Sequence, residues 1–282
     1  VIEDINKIPF FLPAWVKARV LPVVPHLFGA TVFRETNFLF ACYVYLWERL
    51  IPRVFRNCRF AVISPSTRED LVRRGIDEKK IDVVLCGLDH KTYRRLDGVT
   101  RYETPTIVHF GRMRKYKSID VVIEAFARIR RELPDAKLLI VGDGPARANL
   151  VKLVARLQLG ESVEFTGVIS TQDLVEVLNR CHLFLNASPK EGWGLTVVEA
   201  NACGLPVVAS DRPGLRDSVL NGRTGYLVAY GDAQAFAARA LELLGNRETW
   251  EQMSAAGTEW ARSLTWEKTA AEMEEIFLRE MD

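Results

Sequence analysis

Between residues 106 and 210, short unbroken apolar runs alternate with longer stretches of helical periodicity, and few folds accept that pattern. The runs 106–110, 137–141, 163–166, 182–187 and 207–210 are mostly apolar and lack the strict alternation of a half-solvated strand. Strands of that kind are buried on both faces. Between the first two, Ile119, Val122, Ile123, Phe126, Ile129 and Leu133 recur at the spacing of one helix face. Strands alternating with helices imply an α/β chain with a parallel sheet covered by helices on both sides.

The residues before this stretch carry weaker signals of the same kind. Segments 59–63 and 81–85 read as strands, and Ser66-Thr67-Arg68-Glu69 has the spacing of a capping box for a helix ending at Gly75. Segment 21–29 reads as a short strand entering a loop, with two prolines that argue against a central place in a sheet. A polar stretch at 97–105 reads as a linker. The expected organisation is a first domain over 1–97, a second over 98–262, and a terminal helical segment over 263–282, capped by Thr265. With 282 residues and 48% hydrophobic content, two cores are within reach.

Composition narrows the partners. A formal net charge of +2 without long one-sign blocks gives nucleic acid little support. Five cysteines form no Cys-x-x-Cys pair and no His-Glu-x-x-His occurs, which argues against zinc and for free thiols in a reducing, cytoplasmic setting. No apolar run reaches the ~18 residues of a bilayer-spanning helix. The nearest, 38–47, stops at Glu48-Arg49 and reads as a helix packed on its own sheet, with a helix lying on the inner membrane surface as the alternative.

Ligands of parallel sheets bind beyond the carboxyl ends of the strands. That edge is where Gly111-Arg112, Gly142-Asp143-Gly144, Gly167-Val168 and Glu191-Gly192 fall. After the run 182–187 comes a glycine-rich turn, then an apolar helix from Leu195 that Gly204-Leu205-Pro206 ends. The helix N-terminus favours an anion, and Gly192 and Gly194 allow close approach to the backbone. Glu191 and Glu199 flank this turn and would repel a lone phosphate, but a carboxylate suits the hydroxyls of a diol. The implied ligand carries both phosphates and hydroxyls. Arg112 and Lys117 lie in the loop after the first strand of this domain, where they can flank a diphosphate. A cation ~4 Å from a phosphate is worth ~4 kcal/mol at an effective dielectric of about 20. The helix terminus adds ~0.3–2 kcal/mol. No Asp-x-Asp occurs, so the cations and not a metal are expected to neutralise the diphosphate. Spacing alone also allows plainer readings: a surface acid beside an ion-paired one, a solvated basic loop, a tight turn at Gly142.

The segment 190–200, with seven residues between Glu191 and Glu199, resembles the Glu-(seven residues)-Glu motif of glycosyltransferase family 4, the group 1 glycosyltransferases. Segments 202–209, Gly111-Arg112 with Lys117, and 142–145 continue the resemblance, which covers nearly the whole chain. It implies two facing Rossmann-like domains, the GT-B fold. It also implies metal-independent, retaining transfer of a hexose from a UDP- or GDP-sugar to a hydroxyl of a glycan, lipid or small molecule. No cofactor beyond the donor is implied. Glu199 would bind the ribose hydroxyls, and Arg112 and Lys117 the diphosphate. Glu191 and His26 would lie near the donor sugar, with Gly111, Gly142, Gly192, Trp193, Gly194 and Leu195 along the donor and Val168 at the base. The terminal helix would cross back to the first domain. Ser118 departs from the pattern where glycine commonly follows the lysine. The first domain lacks its leading half, so a longer intact protein is expected. The alternative is a non-catalytic nucleotide-sugar-binding fragment or partner subunit.

Overall fold

The computed structural model describes residues 1–6, 8–34 and 36–281, which divide into two compact units. The first comprises Val1–Gly87, Glu191–Trp193 and Leu264–Asp282. Its sheet is parallel, in the order β1 (Ile2–Asp4), β2 (Leu21–Val24), β3 (Phe60–Val62), β4 (Ile81–Val83). Helices α1 (Phe38–Glu48) and α2 (Ile51–Val54) lead from β2 to β3, and α3 (Pro65–Arg73) leads from β3 to β4. Side-chain alternation sends Val24, Phe60, Val62 and Ile81 to one face, where Ile51 and Leu71 cover them. Leu21, Ala61 and Val84 point to the other.

Two local expectations change here. β2 is a central strand despite Pro22, and register explains why. The Leu21 N–H donates to Val1 O and Val23 O accepts from the Ile5 N–H, so the odd positions bond toward β1. The donor that Pro22 lacks would face β3, whose ladder begins one residue later at the Val23–Ala61 pair. The helix near residue 66 begins earlier than its capping-box spacing suggests. Ser64 is the cap, its hydroxyl accepting from the Thr67 N–H at 3.2 Å, and Pro65 takes the first helical position, where no N–H is needed.

The second unit comprises Leu88–Lys190 and Gly194–Ser263. Its elements run β5 (Thr106–Phe110), α4 (Ile119–Glu132), β6 (Lys137–Val141), α5 (Arg147–Arg156), β7 (Val163–Gly167), α6 (Thr171–Arg180), β8 (Leu183–Asn186), α7 (Leu195–Ala202), β9 (Val207–Ser210), α8 (Leu215–Ser218), β10 (Gly225–Val228), α9 (Ala233–Gly245) and α10 (Arg247–Arg262). The sheet is parallel in the order β10-β9-β8-β5-β6-β7. Ile107, Leu138, Ile140, Leu183 and Leu185 meet α4, α5 and α9 on one face. Val108, Leu139, Phe184 and Val207 meet α6 and α7 on the other. Residues 88–97, assigned from sequence to the first domain, lie in this unit: Asn179 Oδ1 accepts from the Leu96 N–H at 2.9 Å.

The chain ends in α11 (Trp266–Met281), which belongs to the first unit. Met273, Ile276 and Phe277 pack on Leu21, Ala61 and Val84, and the Thr269 hydroxyl donates to Leu85 O at 2.7 Å. Each unit is therefore a parallel sheet with helices on both faces, and the chain has an α/β fold.

Candidate functional site

In the second unit the carboxyl ends of three adjacent strands run into Gly111, Gly142 and Gly167. The Gly111 N–H donates to Val141 O at 3.0 Å and the Gly142 N–H to Gly167 O at 2.8 Å. Gly142 is required here: its φ is +122°, and a Cβ would stand 2.2 Å from Gly111 O. The loop bearing Arg112 is pinned to the next one, with the Met113 N–H donating to Asp143 O at 2.9 Å and the Ala146 N–H to Met113 O at 3.0 Å. Arg112 is exposed. Lys117 is half-buried, with its ammonium 5.3 Å from the centre of the Tyr116 ring. Ser118 holds φ 49° and ψ 43°, the left-handed conformation that glycine takes without penalty, and its hydroxyl lies 3.1 Å from that of Tyr230. The turn into α4 thus keeps a glycine-like shape with a serine in it. Val168, directly after β7, is 81% exposed.

Across the same edge, α7 starts at Gly194, whose φ is +84° and whose missing Cβ would stand 2.5 Å from Ser218 Oγ. No side chain caps α7; the Val197 N–H donates to Gly194 O at 2.8 Å, and the Leu195 and Thr196 N–H groups ahead of it are left for solvent or a ligand. Leu195 opens the helix with an exposed side chain. Asn186, the last residue of β8, holds the turn: its Oδ1 accepts from the Ser188 N–H at 3.1 Å.

Glu199 sits one turn into α7 and is half-buried. Burial pushes its carboxyl up to about 7, against the opposing effect of a hydrogen bond from the Tyr93 hydroxyl. The same burial, reinforced by the Glu199 carboxylate, pushes the Tyr93 hydroxyl up to about 12. The pair is a carboxyl group with one polar partner already in place.

In the first unit, His26 lies in the loop after β2, its ring 4.7 Å from that of Phe28. The loop is held from beneath. Glu48 is buried, and its carboxylate accepts from the Phe28 N–H at 2.6 Å and the Gly29 N–H at 2.8 Å, with Arg74 paired to it at 3.2 Å. The Thr67 hydroxyl donates to Pro25 O at 3.2 Å. Gly192 is packed on this loop, where a Cβ would meet Pro25 O at 3.3 Å and His26 Nδ1 at 3.7 Å. Trp193 is buried and Glu191 half-buried. The structure therefore gathers His26, Glu191, Gly192 and Trp193 in the first unit. Gly111, Arg112, Lys117, Gly142, Val168, Gly194, Leu195 and Glu199 belong to the second.

Two residues were not read from the sequence. Tyr93 belongs to no motif and lies just before a polar linker. Glu48 did leave a signal, as the one acid that ends a long apolar run.

Residues 97–260 match the family model for glycosyl transferases group 1. Among curated proteins, the chain is 34% identical over 202 residues to the N-acetyl-α-D-glucosaminyl L-malate synthase of Bacillus anthracis, covering 69% of this chain and 51% of that protein. It is 32% identical over 184 residues to the GDP-mannose-dependent α-(1-6)-phosphatidylinositol monomannoside mannosyltransferase of Mycolicibacterium smegmatis, covering 62% and 48%. The chain spans about half the length of the curated relatives it matches. Among solved structures, sucrose-phosphate synthase from Thermosynechococcus elongatus superposes with a TM-score of 0.81 at 24% identity, over 95% of this chain and 69% of that one. Anabaena HepE in complex with UDP and glucose gives 0.78 at 18%, over 93% and 72%. These likenesses give the fold as GT-B. With its second unit matched almost end to end, the chain belongs to the group 1 glycosyltransferase family.

Proposed function

We propose that this chain carries the donor-binding machinery of a retaining glycosyltransferase that moves a hexose from a UDP- or GDP-sugar to a hydroxyl. The observation that carries the reading is the half-buried Glu199 carboxyl group one turn inside a helix without a side-chain cap whose N-terminus sits on Gly194. In this reading Glu199 accepts from the ribose hydroxyls, and the leading N–H groups of α7 take phosphate or sugar oxygens. Arg112 and Lys117 neutralise the diphosphate as it departs, the kind of prepared electrostatic stabilisation that dominates many enzymes. Gly111, Gly142 and Gly192 keep the backbone close, Val168 meets the base, and His26, Glu191 and Trp193 attend the sugar.

Retention follows if the acceptor attacks on the face that the diphosphate leaves. The bond from the anomeric carbon to the phosphate oxygen breaks and the bond to the acceptor oxygen forms. The acceptor proton passes to a phosphate oxygen of the leaving group. The proposal needs no metal or cofactor, because the two cations and the helix terminus supply the charge. A GDP-mannose-dependent relative and a UDP-bound structural neighbour support both nucleotides as candidates. The acceptor is a glycan, lipid or small-molecule hydroxyl, and peripheral contact with a membrane is part of the same proposal. So is a cytoplasmic setting, supported by five free cysteines.

Replacing Lys117 by Ala in the full-length protein tests the reading. Turnover is expected to fall by roughly two to three orders of magnitude while the fold holds. Turnover that barely changes would remove Lys117 from the diphosphate. Nucleotide binding without any turnover in the wild type would assign the protein to the non-catalytic alternative.

A further inference from the structure

Helix α1 carries no charged residue from Phe38 to Trp47. A helix apolar on every side belongs in a core or against lipid. Only one side of α1 is in a core. Ala41, Val44 and Glu48 are buried, whereas Leu39, Tyr43 and Leu46 are exposed on the opposite side, with Phe38 beside them. At about 100° per residue those three form one stripe along the helix. Leu39 is 80% exposed, Phe38 71% and Leu46 61%, large values for side chains of this size. Phe33 extends the patch, its ring 5.8 Å from that of Phe38. Trp47 at the other end contacts Phe11, whose sequence neighbour Phe10 is also exposed.

Exposed cations follow this patch along the chain. α1 runs out into Arg49, Arg53 and Arg56, all exposed. Between residues 36 and 67 the single acid is Glu48, and it is turned inward onto Phe28, Gly29 and Arg74. The chain as a whole is only +2, so the excess is local. No described helix is long and apolar enough to cross a membrane, and α1, with 11 residues, falls well short of the roughly 20 needed.

We infer that this face of the first unit seats on a lipid bilayer bearing anionic headgroups, with α1 lying in the interface plane. Leu39, Leu46 and Phe38 enter the acyl boundary, Tyr43 sits at headgroup depth, and the three arginines meet the lipid phosphates. A second copy fits less well. Two copies meeting through this face would bring both sets of arginines together with no exposed acid between residues 36 and 67 to meet them. The inference extends the membrane contact proposed above but rests on this surface alone, and does not depend on the transfer reaction.

The test uses the full-length protein and sedimentation with vesicles of phosphatidylcholine, with and without phosphatidylglycerol. Binding is expected to the anionic vesicles and to weaken with added salt. Leu39→Asp or Leu46→Asp is expected to weaken it about tenfold or more. Each of Arg49→Gln, Arg53→Gln and Arg56→Gln is expected to weaken it about fivefold. All five positions are exposed, and nucleotide binding by these variants should match the wild type. Failure of the wild type to bind anionic vesicles would overturn the inference. So would undiminished binding by the leucine variants, or a wild-type dimer that those variants convert to monomer. Vesicle binding without any nucleotide binding would leave this inference standing and sink the donor reading.

Discussion

The Tyr93 hydroxyl donates a hydrogen bond to the Glu199 carboxylate inside the second unit, joining the segment after β4 to the second turn of α7. Burial raises the Glu199 carboxyl from 4.5 to about 7, so the folded protein holds this proton more tightly than the unfolded chain does. The contribution to stability is therefore present at low pH and lost as pH rises from 4.5 through about 7, by roughly 3 kcal/mol. Ribose hydroxyls need the ionised form, so nucleotide binding is expected to strengthen over the same range and to release a proton below pH 7. Removing the hydroxyl with Tyr93→Phe takes away the effect that lowers the carboxyl, and the binding profile should move to higher pH. Calorimetry in buffers of different ionisation enthalpy measures both effects.

Gly194 sets where α7 begins. Ala at this position meets Ser218 Oγ at 2.5 Å in a left-handed backbone conformation. The two penalties together are expected to cost ~2–4 kcal/mol. Pairing Gly194→Ala with Ser218→Gly relieves the contact and should recover part of that loss in denaturant unfolding.

Ser118 offers a comparison of strain with hydrogen bonding. Ala keeps the left-handed strain and loses the contact with Tyr230, whereas Gly loses the contact and the strain together. Ser118→Gly is expected to be more stable than Ser118→Ala by ~1 kcal/mol, read as a difference in unfolding midpoint at equal slope.

Glu48 supports the loop that bears His26. Glu48→Ala leaves the Phe28 and Gly29 N–H groups and part of the Arg74 guanidinium without their acceptor, and should cost ~3–5 kcal/mol. Glu48→Gln retains one acceptor oxygen and should cost less. Chemical denaturation of the two variants separates a positioning role from simple loss of volume.

Sequence carries the second unit well because its strands are buried on both faces and its helices bury one, so each period is written plainly in the residues from 106 to 210. The positions of Gly194 at a turn and of Glu199 inside the helix that follows were legible for the same reason, since strand, Gly-rich turn and apolar helix follow one another plainly in residues 182–203. Pro22 misled because a residue type reports a missing donor but not which neighbour it faces. Ser66 misled because Ser64 with Pro65 offers a better cap two residues earlier. Tyr93 left no trace: its partner is more than a hundred residues away in sequence, and only tertiary packing brings them together.

The most direct measurement titrates UDP and GDP into the full-length protein and into its Glu199→Ala variant. One nucleotide should bind the wild type at neutral pH and the variant roughly a hundredfold more weakly, as expected for two lost charge-assisted hydrogen bonds. Binding of neither nucleotide to the wild type, or equal binding to both proteins, would contradict the account.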